Sequence, residues 1–246
     1  MTVAIIGSGI MAKQIIFRNL ISGQKVVVLV RQLDKSQKQI DSYLSQKSTQ
    51  IKFDYDLLKI TSNVNDLHSV DLILECLPEN LAIKTKLIAE VNKLYPHTII
   101  ATTTSSLTLQ QLKQFMLSPS NLCLIHFSNP ISKTKFAEIC FAPNFSPTHR
   151  ETVHKFLDII NVDWIKVPDI SGFVLNRIIF SMLFEALQLE SNYSISRIDI
   201  NKTMKQGCGM PMGPFEIINL IGADTVRQVL LNLYPDAITE INRLNM

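Results

Sequence analysis

The sequence predicts a doubly wound α/β sheet domain followed by a smaller all-helical domain. Short apolar runs alternate with amphipathic stretches along the first part of the chain. Runs such as VVVLV and DLILEC are almost continuously apolar, which is typical of strands buried on both faces of a parallel sheet. After about residue 169 only helical patterns follow. We therefore expect a sheet domain over residues 1–168 and a helical domain over residues 169–246.

Each element follows from its local pattern. Residues 2–7 read as a strand, residues 10–22 as a helix and residues 25–30 as a second strand. The polar segment 34–56 predicts a helical excursion from the sheet, and residues 172–192 predict one long helix. Further strands are predicted at 70–76, 98–104, 121–129, 135–140 and 164–168.

Composition limits the class of protein. The chain has 246 residues, 46% of them hydrophobic and 18% charged, with a net charge of +3 and no dense basic block, so we expect no nucleic-acid partner. The four cysteines form no CxxC pair, which favours free thiols in a reducing compartment. An apolar strand begins at Val3 and no apolar run approaches membrane-spanning length, so we expect a cytoplasmic protein without a membrane partner. No ligand cluster with metal-site spacing is present, and no metal is expected.

A glycine motif closes the first predicted strand–helix turn. The stretch IIGSGIMA places Gly7, Gly9 and Ala12 in the pattern GxGxxA, directly after a strand and at a helix start. In this context Gly7 permits the tight turn, Gly9 lets the backbone approach a pyrophosphate, and Ala12 allows close helix–strand packing. The helix N-terminus attracts the phosphates. The pattern indicates a Rossmann-type dinucleotide-binding domain.

The residue after the second strand bears on the choice of dinucleotide. An acidic residue there would accept a hydrogen bond from the 2′-hydroxyl of NAD, but this chain carries Arg31. An arginine is suited to pairing with a 2′-phosphate, which favours NADP. A solvated Arg31 beside an NAD site is the alternative.

One histidine and one glutamate flank a predicted turn. If residues 121–129 and 135–140 pair as antiparallel neighbours around residues 130–133, His126 and Glu138 lie directly opposite each other. A carboxylate beside an imidazole fixes its tautomer and favours its protonated form, as a general acid–base residue requires. For the two residues taken alone, a core histidine and a surface glutamate is the simpler interpretation.

These residues fall inside a larger pattern that resembles the 3-hydroxyacyl-CoA dehydrogenase family. The resemblance runs in order along nearly the whole chain. It is carried by ECLPENLAIK (75–84), TTTSSL (102–107), HFSNP (126–130), KFAEI (135–139), SGFVLNR (171–177) and GMPMGPFEIINLIGADT (209–225).

The resemblance implies an oxidoreductase that moves a hydride between NAD(P) and C3 of a 3-hydroxyacyl or 3-ketoacyl thioester. It makes His126 the general base or acid, with Glu138 orienting it. Ser105 and Asn176 would hydrogen-bond the reacting oxygen or position the substrate. Apart from the family, Ser105 reads as a helix-capping hydroxyl and Asn176 as a helix residue buried between domains.

The same resemblance implies further cofactor contacts and a quaternary structure. Glu79 and Lys84 match cofactor-binding positions, and Asn129 would brace its loop or contact the cofactor. The sequence ends soon after residue 225, without the terminal helices of the family, which usually build the dimer interface. The apolar helix 172–192 therefore predicts a homodimer.

Two alternatives stay open at this point. The segment after the second strand is shorter than the family's CoA-binding helical hairpin, which favours a hydroxyacyl group on a carrier protein in a biosynthetic pathway. A nicotinamide-binding protein without turnover is the other, since Arg31 and the shorter chain depart from the family pattern.

Overall fold

The structure is a computed structural model that describes residues 1–49 and 51–243. The chain divides into two compact units, the first over Met1–Asp169 and the second starting at Ile170. No helix of the described residues is both long and apolar enough to cross a membrane.

The first unit contains one eight-stranded sheet in the order β3-β2-β1-β4-β5-β6-β7-β8. The strands β1 to β6 run parallel, β7 pairs antiparallel to β6, and β8 pairs parallel to β7. The strands are β1 (Thr2–Ile6), β2 (Lys25–Leu29), β3 (Leu58–Thr61), β4 (Leu72–Glu75), β5 (Ile99–Thr102), β6 (Leu122–Phe127), β7 (Phe136–Phe141) and β8 (Asp163–Lys166).

Helices cover both faces of the sheet, as the apolar strands predicted. The helices of the first unit are α1 (Ile10–Ile21), α2 (Leu33–Ser48), α3 (Leu81–Leu94), α4 (Leu109–Leu112), α5 (Ile131–Thr134) and α6 (Pro147–Ile159). Burial explains the pattern of the central strands, because Val3, Ala4 and Ile5 of β1 are fully enclosed. The fold class read from the sequence is therefore confirmed.

The strand β3 was not predicted from the sequence. It has only four residues, its Lys59 is exposed, and Leu58 and Ile60 are only partly buried. A short edge strand of this kind carries neither a continuous apolar run nor a long alternation, so its pattern is weak. It lies beside β2 and extends the sheet at the edge near α2.

All regular secondary structure in the described residues of the second unit is helical. Its core is formed by α7 and the helices that follow, among them Phe180, Leu183 and Val226. The helices are α7 (Leu175–Tyr193), α8 (Arg197–Lys202), α9 (Pro214–Ile221), α10 (Ala223–Leu233) and α11 (Ile238–Arg243).

The helix α7 departs from its prediction in two ways. It begins at Leu175 rather than at residue 172, because Gly172 and Phe173 have φ values of +75° and +48°, which a right-handed helix excludes. Its apolar surface is also largely covered within the second unit, where Phe180 packs into the core, whereas Ile178 remains 66% exposed.

Candidate active site

The glycine motif lies where the strand order reverses. The strands β1 and β4 are neighbours, and the chain leaves them for helices on opposite sides, which is the position where parallel sheets bind dinucleotides. Gly7 has φ +122°, and a Cβ atom there would lie 2.6 Å from the carbonyl oxygen of Cys76. Only glycine fits this close approach of two strand ends.

The next two motif positions shape the start of α1. Gly9 is the N-cap of α1, and a Cβ atom there would meet nothing within 4 Å, so the backbone faces open space. Ala12 is fully buried against the sheet. This open space at the N-terminus of α1 is compatible with a pyrophosphate.

Arg31 lies two residues beyond the end of β2 and is exposed. No ion pair involving Arg31 is present among the described residues. Arg31 thus follows β2 at the carboxyl edge of the parallel strands.

The antiparallel register of β6 and β7 is the one expected from the sequence. His126 and Glu138 are register partners, and Nδ1 of His126 lies 2.9 Å from Oε2 of Glu138. Both side chains are buried, with relative exposures of 6% and 1%. An ionised carboxylate accepts hydrogen bonds only, so Nδ1 of His126 is the donor in this bond.

Ser105 lies in the turn after β5, at the same edge of the sheet as His126. The turn is held by Glu79, whose Oε1 accepts from the backbone N–H groups of Ser105 at 3.0 Å and Ser106 at 2.9 Å. The same atom accepts from the hydroxyl of Ser106 at 2.8 Å and from the hydroxyl of Thr104. Oε1 of Glu79 thus holds the turn together by accepting hydrogen bonds from its backbone and side-chain donors.

Glu79 stays ionised in this position. Burial raises the pKa of its carboxyl group, but the ammonium group of Lys84 and the hydroxyls of Thr104 and Ser106 outweigh that effect and hold the pKa below its usual value. The pKa of the Cys76 thiol shifts in the other direction. Burial, together with the charge of the adjacent Glu75, raises it to about 12. Cys76 is therefore no nucleophile at neutral pH.

Lys84 is enclosed in the protein rather than turned to the surface. Its relative exposure is 1%, and its Nζ atom lies 2.8 Å and 3.1 Å from the two carboxylate oxygens of Glu75. Oε2 of Glu79 is 3.6 Å away. Lys84 thus contacts Glu79, the other residue expected at the cofactor, from the interior.

Asn129 braces the loop after β6. Its Oδ1 atom accepts from Nε2 of Gln14 at 2.9 Å, and Oε1 of Gln14 accepts from the backbone N–H of Ile131 at 2.8 Å. Gln14 lies in α1, five residues beyond Gly9. The helix that begins at the glycine motif therefore also holds the loop that follows His126.

Asn176 belongs to the second unit. It lies in the first turn of α7 and is partly buried. In the same unit the PMGPFE segment begins α9, where Glu216 caps the helix by accepting from the backbone N–H of Gly213 at 2.9 Å. A Cβ atom at Gly213 would overlap Asn201, so this motif glycine serves close packing.

Three residues beside the candidate site were not predicted from the sequence. Gln14 is a polar residue on the buried face of α1, Glu75 is a charged residue that ends a wholly apolar strand, and Thr102 is a buried hydroxyl on β5. A buried polar group requires a partner, so Glu75 in the run DLILEC was a usable signal.

Comparisons with known proteins cover both units. The family model described as 3-hydroxyacyl-CoA dehydrogenase, NAD binding domain, matches residues 2–170, and the model for the C-terminal domain of 3-hydroxyacyl-CoA dehydrogenase matches residues 172–243. The chain is 32% identical to 3-hydroxybutyryl-CoA dehydrogenase of Clostridioides difficile over 249 residues, which cover 96% of this chain and 88% of the relative.

Two further relatives agree. Mitochondrial hydroxyacyl-coenzyme A dehydrogenase of Sus scrofa is 31% identical over 246 residues, which cover 93% of this chain and 78% of the relative. The crystal structure of (S)-3-hydroxybutyryl-CoA dehydrogenase from Ralstonia eutropha matches with a TM-score of 0.88 at 26% identity, covering 99% of this chain and 90% of that one.

Proposed function

The chain belongs to the 3-hydroxyacyl-CoA dehydrogenase family of NAD-binding oxidoreductases, and on that premise we propose that it interconverts 3-hydroxyacyl-CoA and 3-ketoacyl-CoA thioesters. The Clostridioides difficile relative is named for the hydroxybutyryl thioester, which supports short acyl chains as substrates. Fatty-acid metabolism is the setting that this chemistry suits.

The residues of the first unit fit a nicotinamide dinucleotide. Gly7 allows β1 and β4 to meet closely, and the open space at Gly9 admits a pyrophosphate against the N-terminus of α1. When bound, the cofactor supplies the hydride chemistry, and the protein supplies binding, orientation and the movement of the proton.

His126 moves that proton in the proposed mechanism. Its Nδ1–H donates to Glu138, so the lone pair of Nε2 takes the proton from the C3 hydroxyl when the substrate is oxidised. In the reverse direction Nε2–H returns the proton to the ketone oxygen. Glu138 holds the ring in the required tautomer and stabilises its charged form.

Ser105 and Asn176 complete the proposed set of site residues. Ser105 stands at the sheet edge that carries His126, where its hydroxyl donates to the reacting oxygen. Asn176 is assigned from the family motif in SGFVLNR, as a residue that positions the substrate. Asn129 and Glu79 support the loops on which His126 and Ser105 lie.

The buried His126–Glu138 pair is the observation that carries the proposal, and acetoacetyl-CoA reduction tests it. Turnover is followed by the absorbance of NADH or NADPH, in parallel assays. We expect His126→Gln to lose most of the turnover while its affinity for the reduced cofactor, titrated by fluorescence, stays unchanged. Turnover equal to that of the parent protein would contradict the mechanism and favour a nicotinamide-binding protein without catalysis.

Arg31 supports a preference for NADP over NAD. A guanidinium group pairs well with a 2′-phosphate, and Arg31 is exposed at the strand end where this phosphate would lie. The family model itself describes an NAD-binding domain. A lower KM for NADPH than for NADH in the same assay would support the preference, and the reverse order would contradict it.

A carrier-protein thioester is the second candidate substrate. The segment between β2 and β3 favours it. Its described residues, 30–49 and 51–57, contain one α-helix, α2, and not the helical hairpin that the family resemblance implied for CoA binding. Comparing kcat/KM for acetoacetyl-CoA with that for the same acyl group on acyl carrier protein separates the two substrates.

We also propose a homodimer that works in the cytoplasm. Ile178 of α7 is 66% exposed and Val174 is 38% exposed, which supports an apolar contact with a second copy. Light scattering of the purified protein tests the dimer. The buried free thiols of Cys123 and Cys140 suit a reducing compartment such as the cytoplasm. The Sus scrofa relative is named as mitochondrial. Cell fractionation distinguishes the cytoplasm from the mitochondrion.

A further inference from the structure

An ion pair is enclosed beside the candidate site. Lys84 and Glu75 have relative exposures of 1% and 0%, and both carboxylate oxygens lie within hydrogen-bond distance of Nζ. Removing two charges from water costs about as much as their attraction returns, so a buried pair of this kind is a poor source of stability. Its geometry is therefore better explained by what it holds in place.

The pair fixes the ends of two strands. Oε1 of Glu75 accepts from the backbone N–H of Leu77 at 2.6 Å, and Oε2 accepts from the hydroxyl of Thr102 at 2.7 Å. The hydroxyl of Thr103 donates to the backbone carbonyl of Glu75 at 3.0 Å, and Nζ of Lys84 donates to that of Leu77 at 3.2 Å. The carboxyl ends of β4 and β5 are thereby tied to the first turn of α3.

The network ends at the turn that carries Ser105. Nζ of Lys84 lies 3.6 Å from Oε2 of Glu79, whose other oxygen accepts from the N–H groups of Ser105 and Ser106. Glu75, Lys84 and Glu79 thus form a line of alternating charge from the interior to the site. In this line Lys84 is the cation that faces both carboxylates.

We propose that Glu75 and Lys84 are positioning residues that act through Glu79 to hold the Ser105 turn in its reactive geometry. The inference rests on the proposed function, because it assumes that the Ser105 hydroxyl contacts the substrate oxygen. It differs from the family expectation for Lys84, since Lys84 acts on another residue rather than on the cofactor.

The test replaces the pair while keeping the interior neutral. Glu75→Gln combined with Lys84→Met removes both charges, a change that buried pairs often tolerate. The matched control is Lys59→Met with Asp66→Asn, which removes a pair of the same unit between an exposed lysine and a partly buried aspartate, with an Nζ–Oδ1 distance of 3.0 Å. We expect kcat for acetoacetyl-CoA reduction to fall at least about 10-fold in the first variant, with unchanged cofactor affinity, and to stay unchanged in the control.

The pH profile distinguishes positioning from general structural damage. Without Lys84, only the hydrogen bonds of Glu79 counteract the rise in its pKa that burial causes, so the pKa of Glu79 should increase. The acid limb of the kcat/KM profile should then move to higher pH. Loss of folded protein would lower the whole profile without moving its limb. An unmoved limb together with unchanged kcat would overturn the inference.

Ser105→Ala separates this inference from the proposed function. We expect Ser105→Ala to cost much less in the double variant than in the parent protein, because the turn is already displaced there. If Ser105→Ala has no effect in the parent protein, the proposed role of Ser105 fails and the positioning inference fails with it. If it abolishes turnover while the double variant keeps full kcat, the positioning inference alone is wrong.

Thr102→Val provides a second route if the double variant does not fold. It keeps the shape of the β5 side chain but removes the donor to Oε2 of Glu75. We expect kcat to fall several-fold with unchanged cofactor affinity, and an unchanged kcat would refute the inference.

Discussion

Replacing Glu138 by glutamine tests the proton-transfer assignment most directly. The change keeps the size and hydrogen-bonding shape of the side chain but removes its charge, 2.9 Å from Nδ1 of His126 and away from solvent. The imidazolium form of His126 arises as the substrate is oxidised, so it loses its counter-charge at the step where that charge matters.

The magnitude follows from the geometry. A hydrogen bond to a charged group contributes about 1.5–3 kcal/mol, whereas a neutral one contributes about 1 kcal/mol. The Coulomb attraction of two charges about 4 Å apart at an effective dielectric constant near 20 is about 4 kcal/mol. The loss should therefore lie between about 0.5 and 4 kcal/mol, which corresponds to a fall in kcat/KM of about 2-fold to 10³-fold.

The assay is steady-state oxidation of 3-hydroxybutyryl-CoA, with cofactor affinity measured separately by fluorescence titration. The control is Glu90→Gln, which removes an exposed carboxylate from α3 of the same unit. A Glu138→Gln protein that folds, binds cofactor and keeps more than half of the parent kcat/KM would refute the assignment of Glu138 as the partner that stabilises charged His126.

Three further outcomes are expected. Gly7→Ala should lower the free energy of unfolding by more than the ~1–3 kcal/mol of backbone strain alone, because the added Cβ would clash with Cys76. Gly23→Ala is the control, since Gly23 has φ +70° and its Cβ would lie in open space, so only the strain is expected. Denaturant melts measure both losses. Arg31→Asp should raise the KM for NADPH about 10-fold or more and lower that for NADH, because the new carboxylate can accept from its 2′-hydroxyl; equal changes in the two KM values would contradict the role of Arg31. Burial lowers the pKa of His149 in the folded protein, so folding disfavours protonation of this side chain, and the free energy of unfolding should decrease as the pH falls below about 6.5. His149→Phe should therefore lose less Tm on acidification than the parent protein. An equal loss would be evidence against this effect.

Much of the first unit could be predicted because its interactions are local or periodic. The continuous apolar strands fixed the fold class, and the turn between β6 and β7 was short enough for the register of His126 and Glu138 to follow from counting residues. The predicted strands 98–104 and 121–129 were longer than β5 and β6, because the chain leaves the sheet there to form the site.

The parts that sequence could not supply depend on contacts between distant segments. Glu75 and Lys84 are nine positions apart, and nothing in their spacing shows that the chain turns back to bring them together in the interior. Gln14 and Asn129 are separated by 115 positions, and their bond requires α1 and the β6 loop to be in place first. The edge strand β3 is recognisable only once β2 offers it a partner.

The antiparallel pairing of β6 and β7 restricts how this chain can vary in length. His126 and Glu138 share one face because five successive register pairs align the two strands across the connection at residues 128–135. Since side chains alternate between faces, one residue added to or removed from that connection would set His126 opposite Ala137 or Ile139. Relatives that keep the proton-transfer pair should therefore differ in this connection by substitution. Single-residue insertions should occur instead in connections that do not join two paired strands directly, such as the one between α2 and β3.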